Sequence, residues 1–205
     1  MRALIESGTL LLVLLNPFAL SAYLIELIRS LKLATFSRVM IRAALISGTV
    51  FTLFALSGTT FFERVLQVRF AAFQIFGGIL FLVIAVRFVI SGGKALETLR
   101  GPPEHLAGAV AMPFMIGPGT VGGSIVIGSR LGPLGVLAIL GALALTVLGV
   151  VLAKVVHDHV QARNEKLVAS YLDIVGRVTA LVIGTLAVEM LLDGYANWHD
   201  GGLRF

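Results

Sequence analysis

The segment AMPFMIGPGTVGG, Ala111 to Gly123, sets two prolines and four glycines inside an otherwise unbroken apolar run. Pro118 has no N–H to donate and its ring crowds the carbonyl of Phe114, while Pro113 does the same to Ala109 one turn earlier. Gly117, Gly119, Gly122 and Gly123 tolerate the dihedrals of a broken helix. No ordinary helix runs through such a stretch. If it lies in a membrane, irregular backbone at that depth is stable only where protein buries it or a watery cavity solvates it, because lipid offers unpaired groups no hydrogen bonds. The break marks a candidate site.

The surrounding chain supports the membrane reading. Its 205 residues are 58% hydrophobic and 13% charged, with a mean hydropathy of +0.99, whereas a soluble domain is about 25% charged. The excess of 16 basic over 11 acidic residues is read as loop charge that fixes topology and faces anionic lipid, not as a nucleic-acid surface. Without cysteine, neither disulfides nor thiolate metal sites can form. The N-terminal run passes Glu6 and extends to Ile28, so it reads as a retained first span and not as a cleaved signal.

Six segments reach the ~20 residues that a ~30 Å hydrocarbon core requires: near 4–28, 39–60, 70–90, 106–128, 132–155 and 168–191. The chain is expected to be all-α, a single transmembrane domain over 1–205. Eleven of the Lys and Arg residues fall at one set of helix ends and five at the other, which places both termini outside a plasma (inner) membrane by the positive-inside rule. Tyr195 and Trp198, in a tail after Leu192, suit the outer interface.

Gln74 to Gly92 aligns without gaps on Asp173 to Leu191, matching Ile75, Gly77, Leu82, Val83, Ile84 and Val89 with Ile174, Gly176, Leu181, Val182, Ile183 and Val188. A shorter match joins Asn16-Pro17 to Gly117-Pro118, each interrupting the first helix of a three-helix half. An odd number of spans per half inverts the second, so the expectation is two inverted-topology repeats, about 1–95 and 104–205, with broken first and fourth helices. Small residues four apart (Ala44 and Gly48; Gly119 and Gly123; Ala138, Ala142 and Thr146; Gly176, Ala180 and Gly184) let helices approach closely, within one subunit or, alternatively, across a homo-oligomer seam.

Asn16 lies about 18 Å into its span, near the midplane, where it caps the following half-helix, touches substrate, or does both. Half-helices beginning at Pro17 and Pro118 offer N–H groups to an anion, and the carbonyls they release offer acceptors to an ammonium. With Asn16, Ser21 and Thr120 as the polar side chains nearby, a small zwitterionic solute fits better than one with net charge. The predicted substrate-binding set is Asn16, Pro17, Phe18, Ala19 and Ser21 with Ile116, Gly117, Pro118, Gly119 and Thr120. Two kinked helices packed without a ligand are the plainer alternative. Asp173 and Arg177 share a helix face in the favourable acid-before-base order, and a charge at that depth faces a partner or a cavity: either a structural ion pair or a gating or proton-linked pair. The four histidines are assigned to loops or the tail. His157-Asp158-His159 does not read as a metal site, because residues two apart on a helix do not share a face. No motif pairs a nucleophile with a base, so no enzyme activity is expected.

Pro113 with Gly117-Pro118-Gly119-Thr120, Asn16-Pro17, Gly77-Gly78-Ile79-Leu80 and Gly176-Arg177 together resemble the motifs of the MarC family of membrane proteins, which includes SnatA-type transporters of small neutral amino acids. The similarity runs over essentially the whole chain. Where the family's first motif more often continues with a glycine and a second proline, this chain has Phe18-Ala19-Leu20-Ser21-Ala22. The resemblance implies six spans in two inverted halves, with the broken helices meeting at a central site for a solute such as glycine or alanine. Such a transporter needs no organic cofactor, and H+ or Na+ could be its coupling ion. A passive small-solute pore and a non-transporting scaffold or assembly protein are the other classes in view.

Overall fold

The computed structural model describes residues 1–91, 103–161 and 165–200, apart from certain side chains, among them those of Glu26, Pro113 and 165–177. Every element among them is helical: α1 Arg2–Leu15, α2 Pro17–Tyr23, α3 Ile25–Ser30, α4 Leu33–Ser57, α5 Phe70–Ser91, α6 Pro103–Val110, α7 Pro118–Leu131, α8 Gly135–Gln161 and α9 Glu165–Asp200. Five apolar stretches are long enough to cross a membrane: Arg2–Tyr23, Leu33–Ser57, Phe70–Arg87, Pro118–Val160 and Ala180–His199. The fourth is 43 residues long, about 65 Å if straight and twice a hydrocarbon core. It is not straight. A 3-10 turn over Gly132–Leu134, entered by Gly132 at φ 57°, separates α7 from α8, and the two helices pack against each other.

Several expected boundaries shift. The second span starts at Leu33 and ends at Ser57, six residues before the expected start and three before the expected end. Gly58, at φ 62°, stops it by entering a backbone region that L side chains rarely adopt. A π-turn over Phe61–Leu66 follows, and Phe62 stacks on Phe54 at 5.1 Å and meets Phe70 edge-on at 5.1 Å, tying the start of α5 to the end of α4. The stretch after Leu192 is not a tail, since α9 continues to Asp200. The histidines likewise lie on helices: His105 on α6, His157 and His159 on α8, His199 on α9. Polarity identified these residues as interfacial, but a helix runs past the apolar region as long as its backbone bonds continue.

The buried centre is built from Leu11 and Leu20, Phe36 and Phe51, Met115 and Ile139. Outward residues of the long helices, such as Leu53, Phe76, Leu148 and Leu181, are apolar and exposed, as a lipid-facing shell requires. Lipid is as apolar as leucine, so packing here depends on close approach instead of on expulsion from water. Glycines supply it. A Cβ at Gly128 would strike the backbone of Ala55, one at Gly78 the Ala187 carbonyl and Leu191, and one at Gly194 would crowd Ile75 and Ala71. These three positions lock α7 to α4 and α5 to α9. Of the small-residue stripes, Gly48 packs on Leu143, Gly123 on Leu14, and Gly184 on Ala85, while Ala138, Ala142 and Thr146 are all buried. These positions pack within the chain.

The helix pairs form a regular pattern. α4 packs on α6, α7 and α8; α8 packs on α1, α2 and α4; α5 touches α7 as α9 touches α2; and α1 packs on α7. The most extensive pair is α5 with α9, the two segments that align in sequence.

Candidate functional site

Both expected interruptions are present, and each has a local chemical cause. Asn16 adopts the left-handed conformation (φ 42°, ψ 79°), ending α1 and opening α2 at once. Asparagine tolerates that region because its short polar side chain can bond locally, and here the Asn16 Oδ1 accepts the Ala19 N–H at 3.1 Å. Pro17 then takes the first helical position, where a missing N–H costs nothing. In the second half, Met112 and Gly117 both precede a proline and both leave the helical region (φ −122°, ψ 120°; φ −129°, ψ 169°), as the proline ring demands of its predecessor. The chain passes through a π-turn over Ala111–Met115, whose Ala111 carbonyl accepts the Ile116 N–H at 2.8 Å, and restarts as α7 at Pro118.

The two interruptions lie at one level. A Cβ at Gly123 of α7 would meet Leu14 of α1 at 2.6 Å, and the Tyr23 ring of α2 lies 5.2 Å from Phe114 in the π-turn. Moving nine residues forward from Leu14 to Tyr23 thus moves nine residues back from Gly123 to Phe114. The order is antiparallel, and the two contacts bracket the interruptions: Asn16-Pro17 lies between Leu14 and Tyr23, and Gly117-Pro118 between Phe114 and Gly123. Each proline also rests on a glycine: the Pro118 ring against Gly77 of α5, and Pro17 against Gly149 of α8 at 3.2 Å from a built Cβ.

The polar side chains expected to bind solute are engaged at the breaks themselves. Thr120 Oγ1 accepts the Gly117 N–H at 2.9 Å and donates towards the carbonyls of Met115 at 2.8 Å and Gly117 at 2.9 Å. Ser21 Oγ donates to the Pro17 carbonyl at 2.7 Å. Thr120 is buried, so its hydroxyl is a strut that holds the extended Ile116–Gly117 link. Thr120→Val should therefore lower stability by about 1–3 kcal/mol by leaving the Gly117 N–H without an acceptor, and Thr120→Ser should restore it. Thermal unfolding in detergent reads this, and a Thr120→Val protein as stable as the parent would remove the strut. By helix geometry the first N–H groups of α2 and α7 have no intrahelical acceptor; Asn16 takes one of them.

Of the predicted residues, Ile116, Gly117 and Pro118 are buried, and Asn16, Pro17, Ala19, Ser21 and Gly119 are half-buried around the same level. Phe18 differs, its side chain being 77% exposed and turned away from the others. A Cβ at Gly119 would meet no atom within 4 Å, so open space adjoins the α7 restart. Asp173 and Arg177 lie on α9, and their side chains are outside the described residues. Among the described residues no three His, Asp or Glu side chains converge as a metal site would need.

Two polar clusters escaped the sequence reading. Gln74 and Asn197, both buried, join α5 to α9 through Nδ2–H to Oε1 at 2.8 Å. Lys154, counted by sequence among the eleven charges at one set of helix ends, is buried on α8 and bonds Asp158 at 2.6 Å, with His157 Nδ1 3.4 Å from the same oxygen. The i, i+4 spacing of Lys154 and Asp158 could have indicated this pair; nothing in the sequence indicated the first.

An all-helical integral membrane protein with two interrupted helices held side by side is the class that this architecture defines. The chain belongs to the MarC family: the model of the MarC family integral membrane proteins matches residues 1–199. It is also similar to a UPF0056 membrane protein of Aquifex aeolicus (strain VF5), 26% identical over 196 residues that cover 91% of this chain and 89% of that protein. No solved structure matches the chain.

Proposed function

We propose that the protein is a secondary-type transporter of small neutral amino acids such as glycine or alanine, with its site between the two interruptions. The observation that supports this reading is the pair of contacts bracketing the two interruptions, Leu14 with Gly123 and Tyr23 with Phe114, together with the open space at Gly119. Two helix restarts at one depth aim N–H groups at a carboxylate, and the carbonyls freed by the prolines accept from an ammonium. Each such alignment is worth on the order of 0.3–2 kcal/mol. Backbone therefore does most of the binding, with the Asn16 amide added, which suits an amino acid whose side chain is little more than a methyl group. Asp173 and Arg177 are proposed as a gating or proton-linked pair on α9.

In this reading the chain crosses the membrane six times in two inverted halves, with α7 and α8 in separate crossings. The exchange of partners supports it: replacing α1–α2, α4 and α5 by α6–α7, α8 and α9 carries the packing of α4 on α6 and α7 onto that of α8 on α1 and α2, and α5 on α7 onto α9 on α2. Both termini then face outward. Because the chain has no cysteine, single cysteines report topology cleanly: at exposed Gln67 an impermeant thiol reagent should label from outside, and at exposed Ser30 it should not. Labelling at Ser30 alone would reverse the orientation.

Counterflow in proteoliposomes tests the function. Preloaded unlabelled glycine should drive transient accumulation of labelled glycine or alanine above equilibrium. Flux that only equilibrates, without trans-stimulation, would make the protein a passive pore, and no flux for any of a panel of amino acids would make it a scaffold.

A further inference from the structure

α4 and α8 flank an apolar groove of about 790 Å³ on the lipid-facing side of the bundle. Along α4 it runs from Ser37 to Thr52, about 22 Å at 1.5 Å per residue, which exceeds half of the ~30 Å hydrocarbon core. Leu45 and Thr49 line it. Seven residues before each stands an arginine, Arg38 and Arg42, and seven residues are close to two full turns, so both lie on the groove's own stripe near the start of α4. Both arginines are exposed, and neither forms an ion pair among the described residues. The first turn of α4 carries no acid. Like charges four apart on a helix repel, so an anion between them would be drawn in.

We propose that this groove is a binding site for an anionic phospholipid, with one acyl chain along the α4–α8 groove and the phosphate held by Arg38 and Arg42. Charge decides against a second copy of the chain as the occupant. Small residues such as Ala44 and Gly48 would allow a helix to approach, but a two-fold dimer through this face sets the same patch against itself. Its axis along the membrane normal would then bring Arg38 and Arg42 of both copies together at one depth. A lipid anion neutralises the same arginines and fills the groove with hydrocarbon.

The test uses spin-labelled phosphatidylglycerol and phosphatidylcholine with the full-length protein in dioleoylphosphatidylcholine vesicles, reading the motionally restricted fraction. The parent should prefer phosphatidylglycerol by roughly thirtyfold, since each of the two basic residues near the surface contributes on the order of 1 kcal/mol. The double variant Arg38→Gln/Arg42→Gln should bring the two lipids to parity, and Arg38→Lys/Arg42→Lys should keep most of the preference. Ala44→Phe, which fills the groove, should reduce the restricted fraction for both lipids. Parity in the parent overturns the proposal, as does a preference that survives the glutamine pair. A disulfide-linked dimer through Thr49→Cys that removes the restricted fraction would give the groove to a second copy instead. Should the glutamine variant not stay monodisperse, the parent's lipid preference and Ala44→Phe still decide.

Discussion

Gly119→Leu is expected to abolish glycine counterflow while the protein inserts, folds and elutes as the parent does. Gly119 is the second residue of α7, half-buried, and a Cβ there meets nothing within 4 Å. A leucine therefore grows into open space without displacing a neighbour. If that space receives the solute, the side chain covers the N–H groups at the helix restart and takes the ligand's volume, a loss of roughly a hundredfold or more in apparent affinity, or about 2.7 kcal/mol. Gly119→Ala should retain part of the activity. Transport by a well-folded Gly119→Leu protein at the parent's rate would mean that Gly119 borders lipid and that the interruptions serve packing alone.

Gly128→Ala should be among the most destabilising single substitutions in the chain, by about 3 kcal/mol or more, since overpacking typically costs 1–3 kcal/mol and here the obstacle is backbone. The added methyl would overlap the Ala55 carbonyl oxygen, carbon and Cα, none of which can rotate aside, so α4 and α7 would have to separate. Gly123→Ala is the control. Its methyl meets the Leu14 Cδ1 at 2.6 Å, the far end of a flexible side chain, and its cost should stay near 1 kcal/mol. Unfolding midpoints in detergent compare the two. Equal stability of Gly128→Ala and parent would show that α4 and α7 do not approach as closely as described.

The interruptions were legible because their causes are local. Asn16-Pro17, Met112-Pro113 and Gly117-Pro118 each join a ring without an N–H to a predecessor that the ring drives out of the helical region, and no tertiary contact is needed to predict that outcome. The role of Asn16 as a cap was legible for the same reason: its side chain reaches the Ala19 N–H three residues on. Thr120 shows where locality ended. Its hydroxyl was visible beside the break and was read as a solute ligand; that it also accepts the Gly117 N–H, at 2.9 Å, emerged only with the extended link.

From residues alone the chain is a helical membrane protein with long apolar segments and two breaks, because hydropathy, span length and proline chemistry act within a turn or two of each residue. The tertiary structure decided which glycines matter. Gly128 and Gly194 resemble the chain's other glycines until Ala55 and Ile75 arrive from segments far away in sequence. It also made Lys154 a buried ion-pair member, joined Gln74 to Asn197, and opened the apolar groove between α4 and α8. Each of these depends on which helix faces touch. In lipid that choice follows from the fit of backbone to backbone, a property of pairs of segments that neither segment carries by itself.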